Sequence, residues 1–340
     1  MAALHDAARR GDTREVAHLL SPWRWIGRAG VNNRDASGNT PLHYAAGEGH
    51  AATAALLLER GAEVNAQGNA GFVPLYFAAQ NGHLEVAKRL IEGGADLRVR
   101  SERGFAPLHA AVLGRRVELV RLMIACGAEV NARAENGVTA LMSAAQEADA
   151  GIVHVLLEHG ADAKAVSAEG FTPIYNASGA GHGEIVQRLV NNGANVNAEG
   201  KIPLHFAASK GHAEIIKLLI AHGADVKALD RHGQTAVYLA AGAGQRVAVE
   251  VLLLHGAGVS ARNRDGATPL HAAAFLDRLE TAKLLLEYGA DVDAKDERGQ
   301  TPLLFAFGKG HAKLQEMLVA RGADLAYVVK WAVDKPTDGG

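Results

Sequence analysis

The sequence predicts an all-α solenoid, in which short helical repeats stack along one axis. Three observations support this. A glycine that opens a shared motif recurs from Gly38 to Gly299, seven of the eight intervals between these glycines are 33 residues, and each copy contains two short amphipathic stretches. A fixed period of this size is typical of a solenoid, whose units contact only their neighbours. We therefore expect a long surface that holds another macromolecule, rather than a single deep pocket.

The first helix of each repeat is predicted to begin at a Thr-Pro pair, such as Thr40-Pro41. Threonine caps helix N-termini through its side-chain oxygen, and proline fits the first helical position, where its missing N–H costs nothing. In the next copy Leu75, Ala78 and Ala79 share one helix face, and the small alanines allow close packing. The capping threonine recurs at Thr172, Thr268 and Thr301.

A second helix follows a short break such as Gly82-His83. Its apolar stripe contains Val86, Ala87, Leu90 and Ile91. The helix is predicted to end at a glycine, which adopts the left-handed cap conformation without strain. The remaining stretch, up to and around the next marker glycine, predicts an extended turn, called here the finger.

These motifs closely resemble the ankyrin repeat. The resemblance rests on GNTPLHYAA from Gly38, GATPLHAAA from Gly266 and tails such as ERGAEVNA, and it covers about residues 1–326. It implies paired antiparallel helices, β-hairpin fingers and a curved stack with a concave groove. We expect a single domain over residues 1–340, with repeat 1 as an N-terminal cap over 1–34, repeats 2–10 over about 35–326, and a tail over 327–340.

Three irregularities interrupt the array. An insertion near residues 21–30 contains Trp23 and Trp25, which we interpret as a lid over the end of the stack or, alternatively, as a partner-binding loop. The finger between repeats 6 and 7 is three residues shorter than the others, either by neutral deletion or as a notch for a partner. The tail after Ala326 starts apolar, so it predicts either a cap on the last repeat or the cut edge of a longer array.

The composition limits the classes of partner that the protein is expected to bind. The net charge is −2 and basic residues alternate with acids, which argues against nucleic acid and membrane surfaces as partners. No apolar run is long enough to span a membrane. A single cysteine, Cys126, fits a reducing compartment. We therefore expect a cytoplasmic, monomeric protein with a protein or peptide partner.

No catalytic, cofactor or metal site is predicted. Thirteen of the sixteen histidines recur in three slots of the repeat, which indicates a structural role. His154 and His159 are five residues apart, whereas a zinc helix needs a spacing of four. Gly-rich segments such as that at Gly179 follow no predicted strand and lack the Lys-Ser/Thr of a phosphate loop.

Function is expected where the repeat leaves positions free. These are the residue after the marker glycine, and the residues two, five and six places after the consensus leucine; the resemblance implies that both sets line the groove. We predict an apolar strip that binds a partner, oriented by charges on the fingers and extended by Phe206. The strip consists of Phe72, Phe77, Phe105 and Phe171, and the charges are Glu102, Arg103 and Glu135. Alternatively, each phenylalanine packs on the adjacent finger and stiffens it.

Three functions follow as hypotheses. The favoured one is a non-enzymatic adaptor, scaffold or inhibitor that binds a protein on the groove face. The second is a structural spacer within a larger protein. The third is an enzyme with its chemistry in the groove, for which Tyr175, Asn176 and His182 are the candidate polar cluster.

Overall fold

The computed structural model describes residues 2–21 and 30–334 of the 340-residue chain. The chain divides into two compact units, Met1–Pro173 and Ile174–Gly340. Within the described residues the structure is helical and contains no sheet, which confirms the predicted all-α repeat solenoid. The extent of the domain and its repeat boundaries stay predictions.

Each repeat contributes two helices. In the first unit they are α1 (Ala2–Arg10), α2 (Thr13–Leu19), α3 (Pro41–Gly47), α4 (Ala51–Glu59), α5 (Pro74–Asn81), α6 (Leu84–Glu92), α7 (Pro107–Leu113), α8 (Val117–Ala125), α9 (Ala140–Gln146) and α10 (Ala150–Glu158). A short 3₁₀ turn, Asn69–Gly71, lies in the finger before α5.

The second unit continues the pattern, apart from the first residue of α11, which belongs to the first unit. Its helices are α11 (Pro173–Ala180), α12 (Gly183–Asn191), α13 (Pro203–Lys210), α14 (Ala213–Ala221), α15 (Ala236–Ala243), α16 (Arg246–Leu254), α17 (Pro269–Phe275), α18 (Leu279–Glu287), α19 (Pro302–Lys309), α20 (Ala312–Ala320) and α21 (Leu325–Asp334).

Within each unit the helices form two layers. Odd-numbered helices of neighbouring repeats pack side by side, as do even-numbered ones, and the two helices of a repeat pack on each other. The core repeats with the period of the sequence. The consensus leucines Leu42, Leu75, Leu108 and Leu141 are almost fully buried, and so are their counterparts in the second helices, Leu57, Leu90, Met123 and Leu156.

The first helices approach so closely that some positions admit only glycine. Gly114 ends α7 with an ordinary right-handed backbone, φ −77° and ψ −4°. A Cβ placed there would collide with the main-chain carbonyl oxygen of Gln80, which is in α5 of the preceding repeat. The spacing between α5 and α7 therefore depends on the absence of a side chain at residue 114.

The capping threonines act in two ways. The Thr301 hydroxyl accepts the N–H of Leu304 at 3.3 Å, as expected for an N-cap. Thr40 and Thr268 are each followed three positions later by a histidine, and each hydroxyl lies 2.8 Å from the Nδ1 of that histidine. The expected hydroxyl-to-backbone cap is therefore wrong at these two positions, because the buried imidazole takes the hydroxyl as its own partner.

The fingers are tight turns rather than β-hairpins. In repeat 4 the N–H of Ser101 donates to the carbonyl of Phe105 at 3.0 Å, and the N–H of Gly104 donates to Ser101 at 2.8 Å. In the part of the chain that the structure describes, the isolated bridge between Arg133 and Thr139 is the one strand-like pairing. Only three residues separate Ser101 from Phe105, which leaves no room for a ladder within this turn.

Asparagine side chains join the loops that follow successive second helices. The Asn65 side chain donates to the carbonyl of Gly94 at 3.3 Å and accepts the N–H of Asp96 at 2.8 Å. Asn32, Asn131 and Asn197 each make the same pair of bonds to the equivalent loop of the next repeat. These asparagines keep neighbouring repeats in register.

The helix α21, Leu325–Asp334, follows α20 and packs on α19. Val328 is fully buried, and the Tyr327 hydroxyl donates to the carbonyl of Gly299 at 2.5 Å. Lys295 Nζ lies 4.3 Å from the centroid of the Tyr327 ring. The apolar start of the tail therefore covers part of repeat 10. Among the described helices, none is both long and apolar enough to cross a membrane.

Replacing Ala106 with threonine should raise the free energy of unfolding by about 0.5–1 kcal/mol. Ala106 stands where other repeats have the capping threonine, with nearly the dihedrals of Thr40, φ −91° and ψ 163° against −93° and 165°. Its N–H already donates to His109 Nδ1 at 3.2 Å, so a hydroxyl would find the same partner that Thr40 has. Urea unfolding measures the change. Ala106→Val is the matched control, since it adds the same volume without the hydroxyl; equal effects of the two substitutions would refute this explanation.

Candidate functional site

Three aromatic rings of repeat 3 form one cluster at the base of its finger. The ring centroids of Phe72 and Tyr76 are 4.0 Å apart, and Phe77 stands edge-on to both, at 6.0 and 5.9 Å. Tyr76 is buried, whereas Phe72 and Phe77 are half-buried. Phe72 therefore packs on its own repeat and still presents part of its ring to solvent, so both interpretations of this residue keep a structural basis.

Phe105 and Phe171 occupy equivalent places on the fingers of repeats 4 and 6. Each N–H donates to the hydroxyl of a serine four residues earlier, at 3.1 and 3.0 Å. Both phenylalanines are half-buried, and Phe105 meets His109 edge-on at 5.6 Å. The structure thus brings Phe72 and Phe77 together and places Phe105 and Phe171 on separate fingers. Their joint action on one partner stays a prediction.

The three predicted charged residues lie at exposed finger tips. The N–H of Glu135 donates to the carbonyl of Arg103 at 3.0 Å, so the tips of repeats 4 and 5 are adjacent and carry opposite charges. The N–H of Glu102 donates in the same way to Ala70 of the preceding finger. The tips form a continuous row of main-chain contacts with outward-facing charges, and their role in orienting a partner stays a prediction.

Trp23 and Trp25 lie outside the described residues. The lid and the binding loop therefore both remain as hypotheses for the insertion, and the structural arguments below use other residues.

Phe206 belongs to the second unit, where it stacks on Tyr175. Their ring centroids are 4.5 Å apart and the planes differ by 19°. Gly179 makes room for the Phe206 ring, because a Cβ at residue 179 would overlap it. Lys201 and Lys210 place their ammonium groups 5.9 and 5.6 Å from the Tyr175 and Phe206 centroids. The shortened finger, which carries Lys201, thus borders an aromatic platform flanked by positive charge.

A cavity of about 670 Å³ lies on the finger side of repeats 8–10 in the second unit. Its floor comes from the first helices of these repeats and includes Leu239, Phe275, Leu276 and Phe305. Phe275 is 41% and Leu276 45% exposed, and Phe305 meets Phe275 edge-on at 5.8 Å. Large apolar side chains exposed together in one hollow are characteristic of an interaction site.

The fingers of repeats 9 and 10 form the wall of this cavity. The Asn263 side-chain oxygen accepts the N–H of Asp265 at 3.0 Å, and the Asp296 carboxylate accepts the N–H of Arg298 at 2.9 Å. His271, at the floor, bonds through Nε2 to the main chain of the repeat 10 finger at 2.9 Å. The first two bonds hold each finger in its turn, and the His271 bond fixes the repeat 10 finger to the floor.

Tyr238 contributes a hydroxyl group to the lining of the cavity. Burial raises the pKa of its phenol, and the Asp265 carboxylate raises it further. The phenol therefore stays protonated across the neutral range and can donate a hydrogen bond to a ligand.

The histidines that follow the consensus leucine are structural, as His43 shows. Its Nδ1 accepts the N–H of Thr40 at 3.0 Å, and its Nε2 bonds to the carbonyl of Phe72 in the next finger at 3.1 Å. Burial lowers the pKa of His43 to about 4. A buried neutral imidazole with both nitrogens bonded does not transfer protons at neutral pH. Across residues 2–21 and 30–334, no group of three or more His, Cys, Asp and Glu could hold a metal ion.

Phe275 and Phe305 fall at positions that the repeat leaves free, but sequence reasoning missed the cavity that they frame. The available signal was a pairing of one large and one small residue at the positions two and five places after the consensus leucine in these first helices. The pairs are Leu239 with Gly242, Phe275 with Ala272, and Phe305 with Gly308. Because the large member changes position from repeat to repeat, neighbouring side chains leave a hollow between them.

Comparison with known proteins gives one consistent result. The family described as ankyrin repeats (3 copies) matches in overlapping windows, and that described as ankyrin repeats (many copies) matches residues 42–91. The windows are 75–167, 108–200, 141–230, 176–263 and 238–328. Among solved structures, the crystal structure of the human ASB11 ankyrin repeat domain is similar, with 30% sequence identity and a TM-score of 0.61. The match covers 64% of this chain and 99% of that one.

Proposed function

Since the chain belongs to the ankyrin repeat family, we propose that it is a non-enzymatic adaptor that binds a segment of a partner protein on the face shared by its fingers and first helices. Ankyrin repeats generally mediate protein–protein interaction, and the family is typically non-enzymatic. The adaptor role and the choice of face are our own inference. The single cysteine favours a partner in a reducing compartment.

The observation that carries this proposal is the exposed apolar floor of the cavity in repeats 8–10. Other repeats put glycine where Phe275 stands, as at Gly47 and Gly179, and the fold tolerates it. A bulky ring that is 41% exposed beside the 45% exposed Leu276 contributes little to the core. It does supply apolar area that a partner can bury, at about 25 cal/mol per Å².

The first unit offers a second surface on its own fingers and first helices, the strip of Phe72, Phe77, Phe105 and Phe171. Partly exposed aromatic rings are favoured anchors in protein interfaces. Glu102, Arg103 and Glu135 surround the strip with both signs of charge, which would set the orientation of a partner more than its affinity.

The proposal predicts that two groups of substitutions, one on each surface, weaken partner binding. Phe275→Ala with Leu276→Ala removes the cavity floor, and Phe72→Ala with Phe105→Ala and Phe171→Ala removes the strip. We expect a loss of about 2 kcal/mol or more for each true anchor. The measurement is affinity capture from a lysate with quantitative mass spectrometry, followed by titration of the purified partner.

The control is Phe307→Ala, because Phe307 is 51% exposed but lies outside both surfaces. Circular dichroism of each variant checks that the repeats remain folded. Capture that is unchanged in both groups of substitutions would contradict the proposed face. Loss of thermal stability with unchanged affinity in the Phe72, Phe105 and Phe171 variant would show that these rings only stiffen the fingers.

A further inference from the structure

We propose that the cavity of repeats 8–10 receives a bulky apolar side chain from a partner peptide whose neighbouring residues are acidic. This inference rests on the proposed function and specifies the chemistry of the partner. It follows from three features of the cavity: an unfilled apolar floor, polar groups that are already engaged, and a basic rim.

The floor is open because Gly242 contributes no side chain to it. A Cβ at residue 242 would lie at ordinary contact distance, 3.4 Å from the Leu276 side chain and 3.6 Å from the Ala272 Cβ. The fold therefore does not require glycine there for steric reasons, yet glycine in a helix interior is less stable than alanine. What glycine provides at this position is depth between Leu239, Phe275 and Phe305. A cavity of about 670 Å³ falls within the size range of ligand sites and exceeds a single side chain.

The polar groups at the bottom of the wall already have partners. Asn263, Asp296 and His271 bond to the main chain of their own or the next finger. These bonded atoms therefore do not demand a polar group inside the cavity, while the Tyr238 hydroxyl remains able to donate a hydrogen bond to the peptide. An apolar side chain is the occupant that this interior fits, because it needs no hydrogen bond.

The rim at the C-terminal ends of the first helices is basic. Arg278 is fixed there by a bond from its Nε to the carbonyl of Gly242 at 3.0 Å, which leaves its terminal N–H groups for a ligand. Lys309 Nζ lies 4.4 Å from the centroid of the Phe275 ring, directly beside the exposed floor. The acid of this rim, Asp277, faces His311 at 3.9 Å.

A lysine also lies near an aromatic ring in repeat 7, where Lys210 Nζ is 5.6 Å from the centroid of Phe206 on the same helix. The finger side carries Asp265, Asp296 and Arg298, a net negative set, so the acidic residues of the peptide are expected on the helix side of the cavity. A peptide that places an apolar side chain on Phe275 brings its neighbouring residues to Lys309 and Arg278. Charge complementarity then selects aspartate or glutamate at those neighbouring positions.

The test uses the full chain and a phage-displayed library of random peptides as the probe. We expect the selected peptides to combine an aromatic or branched apolar residue with adjacent acids. Fluorescence polarisation then measures the affinity of a selected peptide for wild type and variants. Gly242→Leu, which fills the cavity, and Phe275→Ala, which removes its floor, should each weaken binding by about 10-fold or more.

Matched controls separate the cavity from general effects. Gly242→Ala adds only a Cβ and should change the affinity by less than about threefold, as should Phe307→Ala on the opposite side of α19. Lys309→Glu should lower the affinity for an acidic peptide by about three- to tenfold, and added salt should lower the affinity of the wild type as well. Thermal unfolding of Gly242→Leu and Phe275→Ala verifies that both remain folded.

The outcomes distinguish this inference from the proposed function. If the selected peptides bind the two variants Gly242→Leu and Phe275→Ala as tightly as the wild type, the cavity is not the docking site. The proposed function, binding of a partner protein, would still stand. Selected peptides that are basic, or whose binding ignores Lys309→Glu, would overturn the acidic chemistry alone. A library that yields no binder, together with no captured protein, would overturn both.

Discussion

Replacing Gly114 with alanine should destabilise the protein by about 3 kcal/mol, an effect at the upper end of what overpacking by one methyl group produces. The cause is a direct collision, because the new Cβ would overlap the carbonyl oxygen of Gln80 and lie 2.9 Å from its carbonyl carbon. Both are main-chain atoms of a packed helix and cannot rotate away. Relief requires α7 to move from α5, which would open the contact between repeats 3 and 4.

Gly151→Ala is the control for this prediction. Gly151 lies in α10, and its added Cβ would meet its nearest neighbours at 3.4 and 3.5 Å, which is ordinary contact. We expect this substitution to stabilise the protein by about 0.5 kcal/mol through helix propensity. Urea titration followed by circular dichroism measures both. A loss below about 1 kcal/mol for Gly114→Ala would show that the repeats adjust their spacing freely.

Acidification from pH 6.5 to pH 4 should cost the folded protein about 3 kcal/mol through His43 alone. Burial holds the pKa of His43 at about 4 in the folded state, against 6.5 for an ordinary histidine. The unfolded chain therefore binds a proton in this window that the folded chain does not, so stability is fully present above pH 6.5 and is lost as the pH falls towards 4. His109, His205 and His271 add to the effect, because burial lowers the pKa of each.

His43→Met isolates this contribution. Repeat 5 already carries Met142 at the equivalent buried position, so the substitution is compatible with the helix pair. The variant loses the bonds to Thr40 and Phe72 and should be less stable at pH 7, yet its stability should fall less between pH 6.5 and 4. Denaturant unfolding at a series of pH values measures this slope. An unchanged slope would assign the acid sensitivity to other groups.

Much of the fold could be predicted because the same helix-start and core residues recur in most of the repeats. Pro41, Pro269 and Pro302 begin helices where the Thr-Pro pairs place them, and the resemblance to ankyrin repeats is confirmed. The consensus leucines are buried as their spacing requires. Each of these features depends on residues within one repeat, which is the range over which helix periodicity and capping rules act.

The features that sequence reasoning missed depend on contacts between repeats. The hydroxyls of Thr40 and Thr268 lie against buried histidines, a choice set by the burial of the imidazole and not by the cap rule. The cavity arises from Gly242 and Phe275, which are 33 residues apart in sequence and face each other only after stacking. The phenylalanine strip was predicted from the positions that the repeat leaves free, so the structure locates its members but does not link them to a partner.

Several finger tips are joined to the next tip by a main-chain hydrogen bond, and this has an evolutionary consequence. The N–H of Glu135 reaches the carbonyl of Arg103, and that of Glu297 reaches Asp265, through groups that every residue except proline possesses. Mutations at the tips can therefore accumulate without unfolding the array, so recognition can diverge while the scaffold stays constant. A library of this chain randomised at the two residues before each marker glycine would retain a high proportion of folded members, which makes the array a source of new binding specificities.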